Sequence, residues 1–174
     1  MEFYGDIICG DDYFPLDALL CPSMSTAIAR IYTPEGFVIA ADGRKLNGQS
    51  GEVASDEVQK IFPLHYQAGD MSCAIAGVAQ FATEHGLFDF GAEAGRAALA
   101  IAKRQASNHY EYSEFLAREI CRSLEVFRPA SLCSGGEQVT RLLLDGYFDG
   151  RPVRSKIELT YRTDRTDAQV SPEG

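Results

Sequence analysis

The stretch Ser25-Thr26-Ala27-Ile28-Ala29-Arg30-Ile31-Tyr32-Thr33-Pro34-Glu35-Gly36-Phe37-Val38-Ile39-Ala40-Ala41-Asp42-Gly43 decides the fold. From Thr26 to Tyr32 residues alternate in the way a half-buried strand requires. Thr33-Pro34-Glu35-Gly36 supplies turn chemistry. Phe37 to Ala41 is an apolar run of strand length, too short for a helix between such breakers, and Asp42-Gly43 ends it. The segment is a hairpin with at least one buried strand.

Outward from this hairpin, residues 1–24 form an acidic leader. It contains Glu2, Asp6, Asp11, Asp12 and Asp17 and no Lys or Arg, which puts −5 of the chain's −9 in the leader and −4 in the rest. It has no basic start and its apolar stretch is broken at Gly10-Asp11-Asp12, so it is not a secretory signal. On the other side a polar excursion covers residues 47–51, and short strands are expected over Gln59 to Pro63 and Met71 to Ala76. Ala-rich content predicts a helix from about Ala79 to Gln105, with Gly86, Gly91 and Gly95 weakening its first half. Leu116, Ile120 and Leu124 mark a second helix from Ser113 to Phe127, with Glu114 placed to pair with Arg118. A second hairpin follows, Val139 to Tyr147 and then the alternation around Ile157, Leu159 and Tyr161, with Asp149-Gly150 as its turn. Strands, two helices, then strands is an α+β order.

Composition narrows the function. The 174 residues are 45% apolar and 24% charged, a globular balance, and a net −9 disfavours nucleic acid and anionic lipid as partners. No apolar run has the length of a membrane span. Five scattered cysteines without a CxxC pair indicate neither a disulfide framework nor a zinc site, and a reduced, cytoplasmic placement is the simplest. His65, His85 and His109 are too far apart to form a ligand pair, and there is no P-loop or GxGxxG, so neither metal nor cofactor is expected.

The residues able to carry chemistry form an ordered set: Ser25 and Thr26 opening a strand, Asp42 and Arg44 after the paired strand, Lys60 before the next, and Gly77 after Ala74-Ile75-Ala76. Singly, each has an ordinary role in a turn, a cap or a solvated surface. As a set, the chain resembles the N-terminal half of a proteasome β-type subunit, in the N-terminal-nucleophile (Ntn) hydrolase superfamily. The resemblance runs at motif level from Ser25 to Gly77 and as element order to about Tyr161.

It implies a four-layer α-β-β-α sandwich and a threonine- or serine-type peptidase whose nucleophile uses its own α-amine as base. Such an amine titrates near about 7.7, against about 10.4 for a Lys side chain, and so accepts a proton at neutral pH. Carried over, Lys60 lowers the amine's pKa, Asp42 orients Lys60, Arg44 follows Asp42, and the Gly77 N–H faces the oxyanion. Lys45 and Val58 match positions that line the family's specificity pocket. Counting back from Asp42 makes Thr26 the nucleophile, while the family's opening pattern makes it Ser25 with one extra residue in the turn. Ser25 is preferred, because a turn absorbs an insertion more cheaply than a strand absorbs a slip of register.

Two departures qualify the expectation. The leader would hold Ser25 or Thr26 in a peptide bond, and an amide nitrogen is no base. The family's Gly-Ser-Gly loop and later strands have no counterpart in residues 162–174, so residues 25–174 read as an incomplete domain. The resemblance further implies a peptide or protein substrate and a homo-oligomeric ring. The rival readings are a catalytically silent proteasome-like assembly module and, more weakly, a small-molecule amide hydrolase.

Overall fold

The structure is a computed structural model that describes residues 4–9, 26–33, 35–46, 52–66, 69–127, 138–162 and 164–172. Ser25, Met24 and the excursion at 47–51 lie outside the described residues. The hairpin forms as β2 (Ala27–Thr33) and β3 (Gly36–Ala41), paired from Ile28↔Ala41 to Thr33↔Gly36. Its turn is held by the Thr33 hydroxyl, which accepts from Glu35 N–H and donates to Gly36 C=O, both at 3.3 Å. Within the leader, β1 (Tyr4–Cys9) pairs antiparallel with the other edge of β2, from Tyr4↔Tyr32 to Cys9↔Ala27.

Side-chain alternation along β2 turns Thr26, Ile28 and Arg30 inward and Ala27, Ala29 and Ile31 outward. Across the ladder Ala29 faces Ala40 and Ile31 faces Val38, which gives this small sheet an apolar outer surface; Val38 is 61% exposed.

The two short strands β4 (Lys45–Leu46) and β5 (Val53–Ser55) pair with each other. A five-stranded antiparallel sheet follows, made of β6 (Ile61–Tyr66), β7 (Gly69–Gly77), β10 (Gln138–Phe148), β11 (Arg151–Tyr161) and β12 (Thr166–Pro172), in the order β12-β11-β10-β7-β6. In the interior strand β7 the segment Met71 to Ala76, apolar except for Ser72, is buried on both faces. Asp149 and Gly150 both take positive φ, 50° and 71°, the geometry of a two-residue hairpin turn that matches strand twist.

The helix expected from Ala79 begins eleven residues later. In its first half the chain forms β8 (Gln80–Thr83) and β9 (Gly86–Asp89), a hairpin with Gly86 at φ 120° in the turn and Phe81 stacked on Phe88. Then α1 (Phe90–Ile101) starts where the Asp89 carboxylate accepts from Ala92 N–H. The second helix, α2 (His109–Val126), gains a turn over the expected start because Asn108 caps Glu111 N–H while the Glu111 carboxylate reaches back to Ser107. Leu116, Ile120 and Leu124 are at most 1% exposed, and Glu114 pairs with Arg118.

Both helices cover one face of the large sheet, burying Ile75, Leu142, Leu144, Ile157 and Leu159. Each such side chain contributes about 1.5–3 kcal/mol on removal from water. The small sheet covers part of the other face through Ile28, Ala74, Ala76 and Leu143. Farther along that face Arg141, Glu158 and Lys156 form an ion-paired group in place of an apolar surface. The architecture is therefore a mixed α+β fold. Among the described residues it comprises helices, a large sheet and a small sheet, and the second helical layer of a four-layer sandwich is not among them.

Candidate active site

Lys60 joins the two sheets. Its backbone belongs to the large one: the Lys60 C=O accepts from Ile75 N–H at 2.9 Å, one step beyond the Ile61↔Ala74 pair. Its side chain crosses to the small one, where Nζ donates to Asp42 Oδ1 at 2.8 Å and to Thr26 Oγ1 at 3.3 Å. Lys60 is 6% exposed and Thr26 2%, whereas the Asp42 side chain is 37% exposed. The ammonium is thus compensated by a carboxylate that retains water, which limits the desolvation cost of the pair.

Local backbone geometry brings these groups together. Asp42 N–H bonds to Ala27 C=O at 3.1 Å, continuing the hairpin ladder past β3 and setting Asp42 beside the start of β2. Gly43 C=O accepts from Val58 N–H at 2.9 Å, and a Cβ on Gly43 would stand 2.6 Å from Asp56 C=O. Only a residue without a side chain lets the two segments pass so closely. The contact brings the chain leading to Lys60 against the one leaving Asp42.

Gly77 ends β7 with φ 91°, a conformation that favours glycine, and a Cβ there would meet Val139 C=O at 2.6 Å. Because β7 runs antiparallel to β6, Gly77 lies at the end of the sheet where Lys60 sits, two residues past Ile75. Lys60 is therefore in direct contact with both Thr26 and Asp42, with Gly77 at the same end of the large sheet.

The other residues singled out from sequence are placed differently. Arg44 turns to solvent and pairs with Asp56 at 2.8 Å, and this hydrogen bond raises the guanidinium pKa above its ordinary value. Val58 is half-buried and serves the site through its backbone contact with Gly43. Lys45 donates to Gln80 Oε1 at 2.7 Å. Ser25, the preferred nucleophile on the sequence pattern, lies outside the described residues, and the hydroxyl in contact with Lys60 is that of Thr26.

Sequence reasoning missed the polar group beneath β2. Arg30 contacts Asp145 at 3.4 Å, with side chains 2% and 1% exposed, and the Tyr32 hydroxyl donates to the same carboxylate at 2.9 Å. Burial and the Asp145 charge hold the Tyr32 phenol well above the ordinary tyrosine range. A signal existed, because Arg30 falls on the inward phase of β2 with Thr26 and Ile28, and Asp145 interrupts the apolar run of β10.

Among the described residues no cluster of three or more His, Cys, Asp or Glu could hold a metal ion, and no helix is long and apolar enough to cross a membrane. The chain matches no family model, no curated protein and no solved structure.

Proposed function

We propose that this chain is a hydrolase of the N-terminal-nucleophile kind, with the proteasome-like four-layer design as its fold reference, acting on peptide bonds through Thr26. The observation that carries the reading is the buried Lys60 ammonium in contact with both the Thr26 hydroxyl and the Asp42 carboxylate. In the connected chain the nitrogen of Thr26 is an amide and cannot act as a base. Hydrolysis of the Ser25–Thr26 bond makes it an amine. That amine takes the Thr26 hydroxyl proton as Oγ1 attacks a substrate carbonyl carbon, and Lys60 stays protonated, lowering the amine's pKa. The Gly77 N–H donates to the oxyanion. The scissile C–N bond breaks, the proton passes to the departing amine, and an ester remains on Thr26. Water, deprotonated by the same amine, releases the acid and restores the hydroxyl.

The test is an intact mass of the purified protein together with cleavage of a mixed peptide library. Expected are a terminus at Thr26, an electrophilic peptide probe attached to that residue, and turnover abolished in Thr26→Ala and Lys60→Ala but partly kept in Thr26→Ser. Turnover undiminished in Thr26→Ala overturns the reading. The same native mass measurement reports whether copies assemble, as the proteasome-like reading entails.

A second reading, a silent assembly module, is favoured by one observation: residues of the leader are built into the small sheet as β1. An unprocessed chain without turnover supports it.

A further inference from the structure

We propose that Thr140 is a positioning residue for the oxyanion donor: its hydroxyl, bonded to Val78 C=O, holds the turn that aims the Gly77 N–H. The inference rests on the hydrolase reading above.

The direction of the Gly77 N–H follows from the ladder. In an antiparallel sheet successive residues of a strand turn their N–H and C=O groups to opposite sides. Ile75 N–H is bonded to Lys60 C=O on the β6 side, so the N–H of Gly77, two residues on, leaves β7 on that same side, one ladder step beyond Lys60. Across the other side Gly77 stands opposite Thr140 of β10, and by the same alternation this pair shares no backbone hydrogen bonds. Pairs of that kind bring side chains closest, and Gly77 has none. The chain therefore folds over Thr140: φ at Gly77 is 91°, and Val78 C=O comes to the Thr140 hydroxyl, which donates to it at 2.7 Å.

Thr140 is a polar residue in an apolar row. It shares a face of β10 with Leu142 and Leu144 and is 0% exposed, so its hydroxyl has to be satisfied inside the protein. A threonine hydroxyl carries one proton, and here Val78 C=O takes it, so in the 3.4 Å contact with the buried Tyr161 hydroxyl the tyrosine is the donor. One residue beyond Val78, Ala79 C=O accepts from Phe90 N–H at 3.0 Å, at the first residue of α1. The link from β7 to β8, which is Val78 and Ala79, is thus held at both carbonyls, one by a side chain of β10 and the other by the start of the helix. Glycine is the residue whose backbone is freest to rotate, whereas an oxyanion donor stabilises best when it is fixed before the charge develops. Thr140 fixes the peptide next to Gly77 without touching substrate.

The experiment uses the processed full chain. Thr140→Val keeps the shape and removes the donor, and the expected kcat per active site is about 10- to 100-fold lower with KM within about twofold, because the oxyanion forms only after binding. Thr140→Ser, which keeps the hydroxyl, restores kcat to within about threefold of the parent. A peptide boronate, whose tetrahedral adduct on Thr26 places an oxygen in the oxyanion position, loses affinity in Thr140→Val by about the same factor as kcat. Should Thr140→Val not fold, Thr140→Cys, similar in size and a weaker donor, takes its place with an expected loss in kcat of at least about threefold. A purely structural Thr140 lowers Tm and the number of active sites titrated by the boronate but leaves kcat per site and boronate affinity unchanged. That result overturns the proposal, as does a loss of kcat that Thr140→Ser does not restore, or parent kcat in the variant tested, and each leaves the hydrolase reading standing. Failure of the unmodified protein to cleave any peptide of a library removes the hydrolase reading and this proposal with it.

Discussion

Replacing Arg30 by Met tests how the small sheet is seated on the large one. Arg30 and Asp145 are 2% and 1% exposed at their side chains, so solvent cannot relieve either charge when the other is removed. Their separation of 3.4 Å is longer than a strong charge-assisted bond, so most of the cost of Arg30→Met arises from taking a buried cation away from the Asp145 carboxylate. Removing one partner of a fully buried pair costs about 3–5 kcal/mol. The Tyr32 hydroxyl still donates to Asp145 at 2.9 Å and offsets part of that. The net expectation is a loss of about 3 kcal/mol, or about 6–12 °C in Tm for a chain of this size. Asp145→Asn, which takes the carboxylate charge from the buried guanidinium, costs a comparable amount, and the double variant Arg30→Met/Asp145→Asn returns to within about 1.5 kcal/mol of the parent, because neither charge is then buried. Urea unfolding of the four proteins at two salt concentrations measures this, and burial predicts little salt dependence. A loss below about 0.5 kcal/mol in Arg30→Met, or a double variant equal to the sum of the singles, refutes the reasoning.

Further outcomes follow from the site and the core. In Gly43→Ala the new Cβ must displace Asp56 C=O, 2.6 Å away, and so pulls Lys60 from Asp42; peptide turnover should fall at least tenfold, whereas Gly36→Ala, which meets nothing within 4 Å, leaves turnover intact. Burial, with the Asp145 carboxylate adding to it, pushes the Cys73 thiol from 9.0 up to about 12. Above pH 9 the unfolded chain sheds a proton that the folded chain keeps, so unfolding free energy should fall as pH rises, by up to about 1.4 kcal/mol per unit from this thiol. Between pH 9 and 10 the slope should be visibly shallower in Cys73→Ala; equal slopes would show that Cys73 titrates alike in both states.

What the sequence made legible depended on whether a signal was local. The first hairpin could be read because alternation, turn residues and breakers lie within 18 residues of one another, Thr26 to Gly43. The β8–β9 hairpin was misread for a specific reason. Phe81 and Phe88 are seven residues apart, a spacing that marks two turns of a helix and also directly paired residues across a short hairpin. Only the turn at Gly86 separates the two, and an Ala-rich continuation outweighed it. The edge strand β12 left no pattern, because at the edge Asp167, Ala168 and Gln169 are all exposed and only Thr166, Val170 and Ser171 are half-buried. The contact of Lys60 with Asp42 and Thr26 has no local signature at all, since the residues are 18 and 34 positions apart. Family resemblance suggested it. The Arg30–Asp145 pair, separated by 115 positions, had no such guide.

The enzyme and scaffold readings differ by the state of one peptide bond. In the connected chain Lys60 donates to Thr26 Oγ1, which stabilises lone-pair density on that oxygen and so makes proton loss easier, but removal still requires an acceptor. Asp42 is in contact with Lys60, and a carboxylate that gives up that partner to take a proton would leave the ammonium buried without compensation. The Thr26 nitrogen, as an amide, accepts nothing. On the hydrolase reading, the missing base is an atom already in place whose protonation chemistry is suppressed by acylation. Cutting the Ser25–Thr26 bond need not move Lys60, Asp42 or Gly77. It need not release β1 either, which lies upstream of the cut and stays held to β2 by a six-residue ladder. A scaffold and a hydrolase can therefore share this fold unchanged, and the mass of the N-terminus discriminates between them more directly than any further comparison of shape.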